Sequence, residues 1–202
     1  TETVSTIFTG GEASIVLDAA NLTATGSTTV TVTSITNEST ACVSTVATST
    51  TFDVNPIPDA ETITVSINDT CEDDVVSVNI TDTAETPNLV DGTYDFTYDI
   101  SGAITVTDQI ASSVTITDGS GSFDLPQDIL ANGSSTLTLT SVSNSTSTCE
   151  ADNLTMPAAS FNIVPTPDAT NAVLAVADTC EDGGASVTFT ADASLILDGD
   201  YT

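Results

Sequence analysis

Residues 52–73 read FDVNPIPDAETITVSINDTCED, and residues 161–182 read FNIVPTPDATNAVLAVADTCED. Each stretch starts at an aromatic residue, passes through Pro-x-Pro-Asp-Ala, enters a run of alternating apolar residues and closes on Thr-Cys-Glu-Asp. Proline fixes its own φ and has no amide to donate, so a Pro-x-Pro segment is a stiff, extended connection and not part of a sheet interior. Two copies of such a passage, 109 residues apart, mean an internal repeat, the feature to be read before any local structure.

The rest of the chain repeats in step. STTVTVTSITNESTAC at 27–42 returns as SSTLTLTSVSNSTSTC at 134–149, and Asp91-Gly92-Thr93-Tyr94 returns as Asp198-Gly199-Asp200-Tyr201, both 107 residues apart. The small differences in spacing fall between apolar runs, where loops absorb insertions. A unit of this length is the usual size of one β-sandwich domain. With boundaries at Pro56 to Ala60 and Pro165 to Ala169, one complete unit spans 58–166. Residues 1–57 form the C-terminal part of a preceding unit, and 167–202 the N-terminal part of a following one. A window on a longer tandem array is expected, with half-units that complete one another between subunits of a polymer as the alternative.

Inside the complete unit apolar residues alternate with period two, as half-buried antiparallel strands require. The runs are Ile63-Val65-Ile67, Val76-Val78-Ile80, Tyr94-Phe96-Tyr98, Ile104-Val106, Val114-Ile116, Phe123-Leu125, Leu137-Leu139 and Phe161-Ile163, separated by Gly, Asn and Asp. The expected fold is all-β, a head-to-tail series of immunoglobulin-like sandwiches, without the core Trp and inter-sheet Cys pair of antibody domains.

Charge narrows the chemistry. The 202 residues contain 29 Asp and Glu and no Lys, Arg or His, a formal charge of −29. Such a chain cannot neutralise phosphates, so nucleic acid and anionic lipid head groups are excluded as partners. Without His or Lys there is no imidazole base, Ser-His pair or P-loop lysine, and no enzymatic activity is expected. A hydrophobic fraction of 39% and a mean hydropathy of +0.19 nevertheless place the chain among those that bury a core. No apolar run is long enough for a transmembrane helix, and no signal peptide lies inside this window; an export signal would lie elsewhere.

Cys42, Cys71, Cys149 and Cys180 are two kinds of position seen twice. Recurrence at equivalent places in a chain without His argues for disulfides and an oxidising, extracellular setting, ahead of free buried thiols or zinc. In the expected topology Cys71 lies at the pole where the chain leaves the unit and Cys149 at the pole where it comes in. A strand of about ten residues spans roughly 30 Å, whereas a disulfide needs Cα atoms within about 7 Å. Each cysteine is therefore expected to pair across a junction with a neighbouring unit, the alternative being Cys71 with Cys149.

Carboxylates cluster at Glu72-Asp73-Asp74, at Asp118 to Asp124 and at Asp198 and Asp200. Hard oxygen ligands in turns suit calcium, and Glu72, Asp73 and Asp74 are expected near Asp168 of the next linker, where both sides of a junction could share an ion. No cluster matches an EF-hand, and solvated surface charge is the plainer reading of each. No other cofactor is expected. Asn-x-Ser/Thr triplets at Asn21, Asn37, Asn68, Asn79, Asn132, Asn144 and Asn153 follow from the abundance of Thr and Ser, and matter only where asparagine is glycosylated.

DTCEDDVVSVNITD from Asp69, TSVSNSTSTC ending at Cys149 and SFNIVPTPDA from Ser160 together resemble the tandem immunoglobulin-like repeats of giant Bacteroidetes cell-surface adhesins. The resemblance covers the whole window and is to the SprB-like gliding-motility filament proteins, substrates of type IX secretion. Asp73-Asp74 stand where glycines are common in those repeats, and Thr136 where Tyr is usual. Asp82-Thr83-Ala84 resembles a Bacteroidetes O-glycosylation motif. The resemblance implies an extracellular, cell-surface filament in adhesion or gliding, with neighbouring repeats, surface polysaccharide or other cells as partners. The expected role of this chain is the structural shaft. The alternatives are repeats that are themselves carbohydrate- or protein-binding modules, or a subunit of a polymeric pilus or surface layer. Repetition with no Trp and three Tyr favours the shaft, because a binding patch is usually rich in such residues.

Overall fold

The computed structural model describes residues 4–192 together with 196 and 199; Asp198, Asp200 and Tyr201 lie outside the described residues. Strands follow the Thr- and Val-rich runs, whose β-branched side chains fit a pleated surface better than a helix. The first two, β1 (Gly26–Asn37) and β2 (Cys42–Val54), form a long antiparallel hairpin. The complete unit then supplies β3 (Ile63–Ile67), β4 (Thr70–Cys71), β5 (Ser77–Asp82), β6 (Gly92–Gly102), β7 (Val106–Ile116), β8 (Ser120–Asp124), β9 (Gly133–Asn144) and β10 (Ala158–Val164). A last hairpin joins β11 (Val173–Val176) to β12 (Val187–Thr190).

In the complete unit one sheet has the order β3-β5-β8 and the other β4-β10-β9-β6-β7. All pairings are antiparallel except β4 with β10, which run parallel with Thr70 opposite Ile163 and Cys71 opposite Val164. A first strand that divides between the two sheets and joins the last strand in parallel is the arrangement of an immunoglobulin-like sandwich. The two-residue β4 is the element the alternation did not predict: two residues are too few to display a period, and the turn expected after Ile67 is a crossing to the other sheet.

The core lies between the sheets. On β6, Tyr94, Phe96, Tyr98 and Ile100 are all at most 2% exposed, and they face Ile63, Val78 and Ile80 of the smaller sheet. Phe123 of β8 closes the space, its ring centroid 5.5 Å from that of Tyr98 and 6.4 Å from that of Phe96. The expected runs at 104–106 and 114–116 are not separate strands. Val106 to Ile116 is one edge strand, broken by two irregularities in its pairing with β6, which hide the alternation in the sequence between them.

Local structure repeats with the sequence. The β1–β2 hairpin pairs Gly26 with Val54 through Thr31 with Ser49, and β9–β10 pairs Gly133 with Ile163 through Thr138 with Ala158, residue for residue the same register. The β11–β12 register, Val173 with Thr190 through Val176 with Val187, reproduces that of Thr64 with Thr81 through Ile67 with Val78. The β11–β12 hairpin differs from its counterpart in burial: Val173, Leu174, Val176, Val187 and Phe189 are exposed, because among the described residues no second sheet covers them.

Candidate functional site

The features that bear on function lie at the two poles of the sandwich, where the chain enters and leaves. At the incoming pole Pro58 and Ala60 are buried, so the second half of Pro-x-Pro-Asp-Ala belongs to the folded unit. Asn153, in the loop between β9 and β10, holds it there: its Oδ1 accepts the Ala60 amide at 3.0 Å and its Nδ2 donates to Asp59 Oδ1 at 2.6 Å.

Asp82, at the end of β5, organises the adjoining loop. Thr62 Oγ1 donates to Oδ1 at 2.6 Å, as does the Ala84 amide at 3.0 Å, while the Asn88 and Leu89 amides donate to Oδ2 at 2.6 and 2.9 Å. Burial by itself raises the carboxyl pKa, but the bonds from Thr62, Leu89, Ala84 and Asn88 outweigh it and hold Asp82 below the usual carboxylate range. Thr83 is also engaged, its hydroxyl donating to Thr62 O at 2.9 Å.

At the outgoing pole, β4 lies beside β10 and the bonding continues past it. The Glu72 amide donates to Val164 O at 2.7 Å, the Asn162 amide to Asp69 Oδ1 at 2.8 Å, and Thr166 Oγ1 to Glu72 O at 3.1 Å. Pro165 is half-buried here. A turn closed by Asp74 N to Cys71 O at 3.2 Å, with Asp73 at φ 71°, carries Glu72, Asp73 and Asp74. Together with Cys71, Gln127 and Asn132 these line a shallow cleft of about 220 Å³. Gln127 Nε2 donates to Asp74 O at 2.6 Å across its rim.

The Glu72-Asp73-Asp74 turn therefore meets the next linker, through Thr166. Asp168 points its carboxylate at its own neighbour: Oδ1 accepts the Thr170 hydroxyl and, at 2.8 Å, the Thr170 amide, and these bonds lower its pKa. Among the described residues no three carboxylates or thiols are gathered as a metal site. An ion at this pole would need further ligands from beyond the turn.

Cys42, Cys71 and Cys180 are exposed, Cys149 is half-buried, and none is bonded to another. Cys71 lies opposite Val164 at the outgoing pole. The Cys149 carbonyl accepts the Asn144 amide at 2.9 Å, at the far end of β9. The 12 residues of β9 separate the two positions. Asn37 and Asn144 cap equivalent turns, their Oδ1 atoms accepting the amides of Ser39 and Thr40 and of Thr146 and Ser147 at 2.9–3.1 Å.

Asp82, at the end of β5, and Asn153, in the loop before β10, stand out in the sequence only as members of an Asp-Thr-Ala and an Asn-x-Thr triplet, neither of which is a signal of this structural role. Asp91, Asp95 and Asp99 do have one, a spacing of four along and just before β6, and each accepts an amide from β7 or the turn that follows it: Asp118 at 2.8 Å, Ser113 at 2.7 Å and Asp108 at 2.9 Å. All three donors have positive φ, of 48°, 56° and 55°. Spacing by four in a strand keeps side chains on one face, and that was the available clue.

Strand order, the parallel β4–β10 contact and the aromatic inter-sheet core define the class, an all-β protein built on an immunoglobulin-like sandwich. No protein-family model and no curated protein matches the chain. Among the described residues no helix is long and apolar enough to cross a membrane.

Proposed function

We propose that the chain is a stretch of the structural shaft of an extracellular cell-surface filament or adhesin of the SprB-like type its sequence resembles, serving surface adhesion or gliding. The observation that supports this most is the double anchoring of the unit. The incoming chain is held by Asn153 and the outgoing chain by Glu72, at opposite poles. With Pro165 half-buried on one unit, Thr166 bonded to Glu72 O and Pro58, the counterpart of Pro167, buried in its own unit, a junction leaves little free chain to act as a flexible tether. Uniform negative charge without a single cation opposes collapse of one unit onto the next.

The cleft at the outgoing pole keeps the binding-module reading as the second choice, and a glycan or protein array probed with the purified chain tests it.

Two measurements check the shaft. Antibodies to residues 58–166 should label intact, unpermeabilised cells, and negatively stained chain should appear as extended, stiff segments at low ionic strength. Exclusive intracellular labelling, or freely jointed collapsed beads, would overturn the proposal.

A further inference from the structure

Asn132-Gly133 is the one Asn-Gly pair in the chain. Gly133 opens β9, and its pairing with Ile163 is the last rung of the β9–β10 ladder at the outgoing pole. The fold asks for glycine here, at φ 114°, as it does at φ 107° for Gly26, the equivalent residue of β1. It does not ask for asparagine in front, since Thr25 precedes Gly26. Asn132 is exposed and lies on the cleft lined by Glu72, Asp73 and Asp74. Among the described residues nothing holds its carboxamide, whereas those of Asn37, Asn144 and Asn153 accept backbone amides.

We propose that Asn132 is a site of spontaneous self-modification, at which its carboxamide is lost as ammonia and a fourth carboxylate is added to the outgoing-pole cleft. The Gly133 amide nitrogen gives up its proton to solvent base and attacks Asn132 Cγ. The new N–Cγ bond closes a five-membered succinimide, the Cγ–Nδ2 bond breaks, and Nδ2 leaves as ammonia. One water then opens the ring. Cleavage of the N–Cγ bond leaves aspartate. Cleavage of the bond between the Asn132 carbonyl carbon and the Gly133 nitrogen leaves isoaspartate, with the former side chain in the backbone. Water enters, ammonia leaves, and no oxidant is needed. A side chain at position 133 would crowd the attacking nitrogen, and glycine has none. The end of a ladder is the part of a strand that opens at least cost, so the nitrogen is released without unfolding the sandwich. Other asparagines lack this arrangement: Asn68, Asn79, Asn88 and Asn153 precede Asp, Ile, Leu and Leu.

The test incubates the purified 202-residue chain at neutral and at mildly alkaline pH. Each asparagine is followed by peptide mapping with a chymotrypsin-type protease, since the chain offers no Lys or Arg to cut at. Asn132 should convert at least about tenfold faster than any other asparagine, equivalent to about 1.4 kcal/mol of barrier, with aspartate and isoaspartate both formed and the rate rising with pH. Conversion in the folded chain should stay within about tenfold of that in urea, because only the ladder end has to open. Asn132→Gln keeps a carboxamide but would need a six-membered ring, and should remain unconverted over the same period. Survival of Asn132 in the folded chain while it converts in urea, or faster loss at another asparagine, would overturn the proposal. So would survival in both. The reaction is read on the isolated chain and does not rest on the filament reading: a chain found inside cells would remove that reading and leave the conversion at Asn132 standing, while a stable Asn132 leaves the surface labelling untouched.

Discussion

Asp82 keeps a carboxylate 7% exposed in a protein with no cation to pair it. An ionised group in such a place is tolerated only when donors replace its lost water, and here three amides and a hydroxyl do so. Replacing Asp82 with Ala orphans those donors and should lower the unfolding free energy by about 3 kcal/mol, measured by urea titration at neutral pH. The pH dependence has a definite sign. A folded-state pKa below the unfolded value of about 3.9 makes the contribution fully present above that pH, and it is lost as pH falls through the lower, folded pKa. Asp82→Ala should therefore flatten the stability profile in that acid window. An unchanged acid limb would show that the carboxylate is not ionised in the fold. The sequence marked Asp82 only as part of an Asp-Thr-Ala triplet, because nothing local announces that residues 84, 88 and 89 will turn their amides toward it.

At the scale of elements, β7 is an 11-residue edge strand, a length at which an open edge invites pairing with another chain. Two residues at positive φ, Asp108 and Ser113, interrupt it, and Asp99 and Asp95 of β6 take up the amides that the irregularities turn out of the ladder. The Ser145 hydroxyl and the Ser113 amide hold Asp95 below the ordinary carboxylate range. In the double variant Asp95→Ala, Asp99→Ala the amides of Asp108 and Ser113 should exchange with solvent at least tenfold faster by NMR, with core amides of β9 little changed. Equal protection in variant and parent would mean that the ladder alone holds the strand. Gly121 of β8 lies tight against β7: a Cβ there would lie 2.5 Å from Thr115 O and 2.6 Å from Ile116 Cδ1. Its backbone φ is ordinary, so Gly121→Ala acts by collision alone and should destabilise the unit by about 2 kcal/mol in urea titration. The strands themselves could be read from alternation; the irregularities could not, since each adds residues that break the period being read.

For the whole molecule, cysteine pairing is the sharpest expectation. About 36 Å of β9, at roughly 3.3 Å per residue, lies between the level of Cys71 and that of Cys149, several times the separation a disulfide spans. Non-reducing peptide mapping of protein secreted into an oxidising medium should therefore yield no Cys71–Cys149 peptide. Its appearance would require the strand order to be different. Pairing across junctions, Cys71 with the hairpin cysteine of a following unit, remains the proposal, because the Cys71 turn stands beside the departing linker at Thr166.

The sequence by itself determined the repeat, the length of its unit, the alternation that makes an all-β sandwich and the absence of any Lys, Arg or His. Each of these is a property of composition or of spacing along the chain, where period two and a recurring Pro-x-Pro can be counted. The tertiary structure alone decided that Thr70 and Cys71 cross to the second sheet, that Pro58 belongs to the fold and not to the linker, that Asp82 is buried, and that Asp69 and Thr166 flank the β4–β10 contact. Those outcomes depend on hydrogen bonds between residues 93 and 94 positions apart, such as Asn162 with Asp69 and Asn153 with Asp59. Partners at that separation leave no pattern within either segment, because backbone amides and carbonyls are the same at every residue and only the packing of two sheets brings particular ones together.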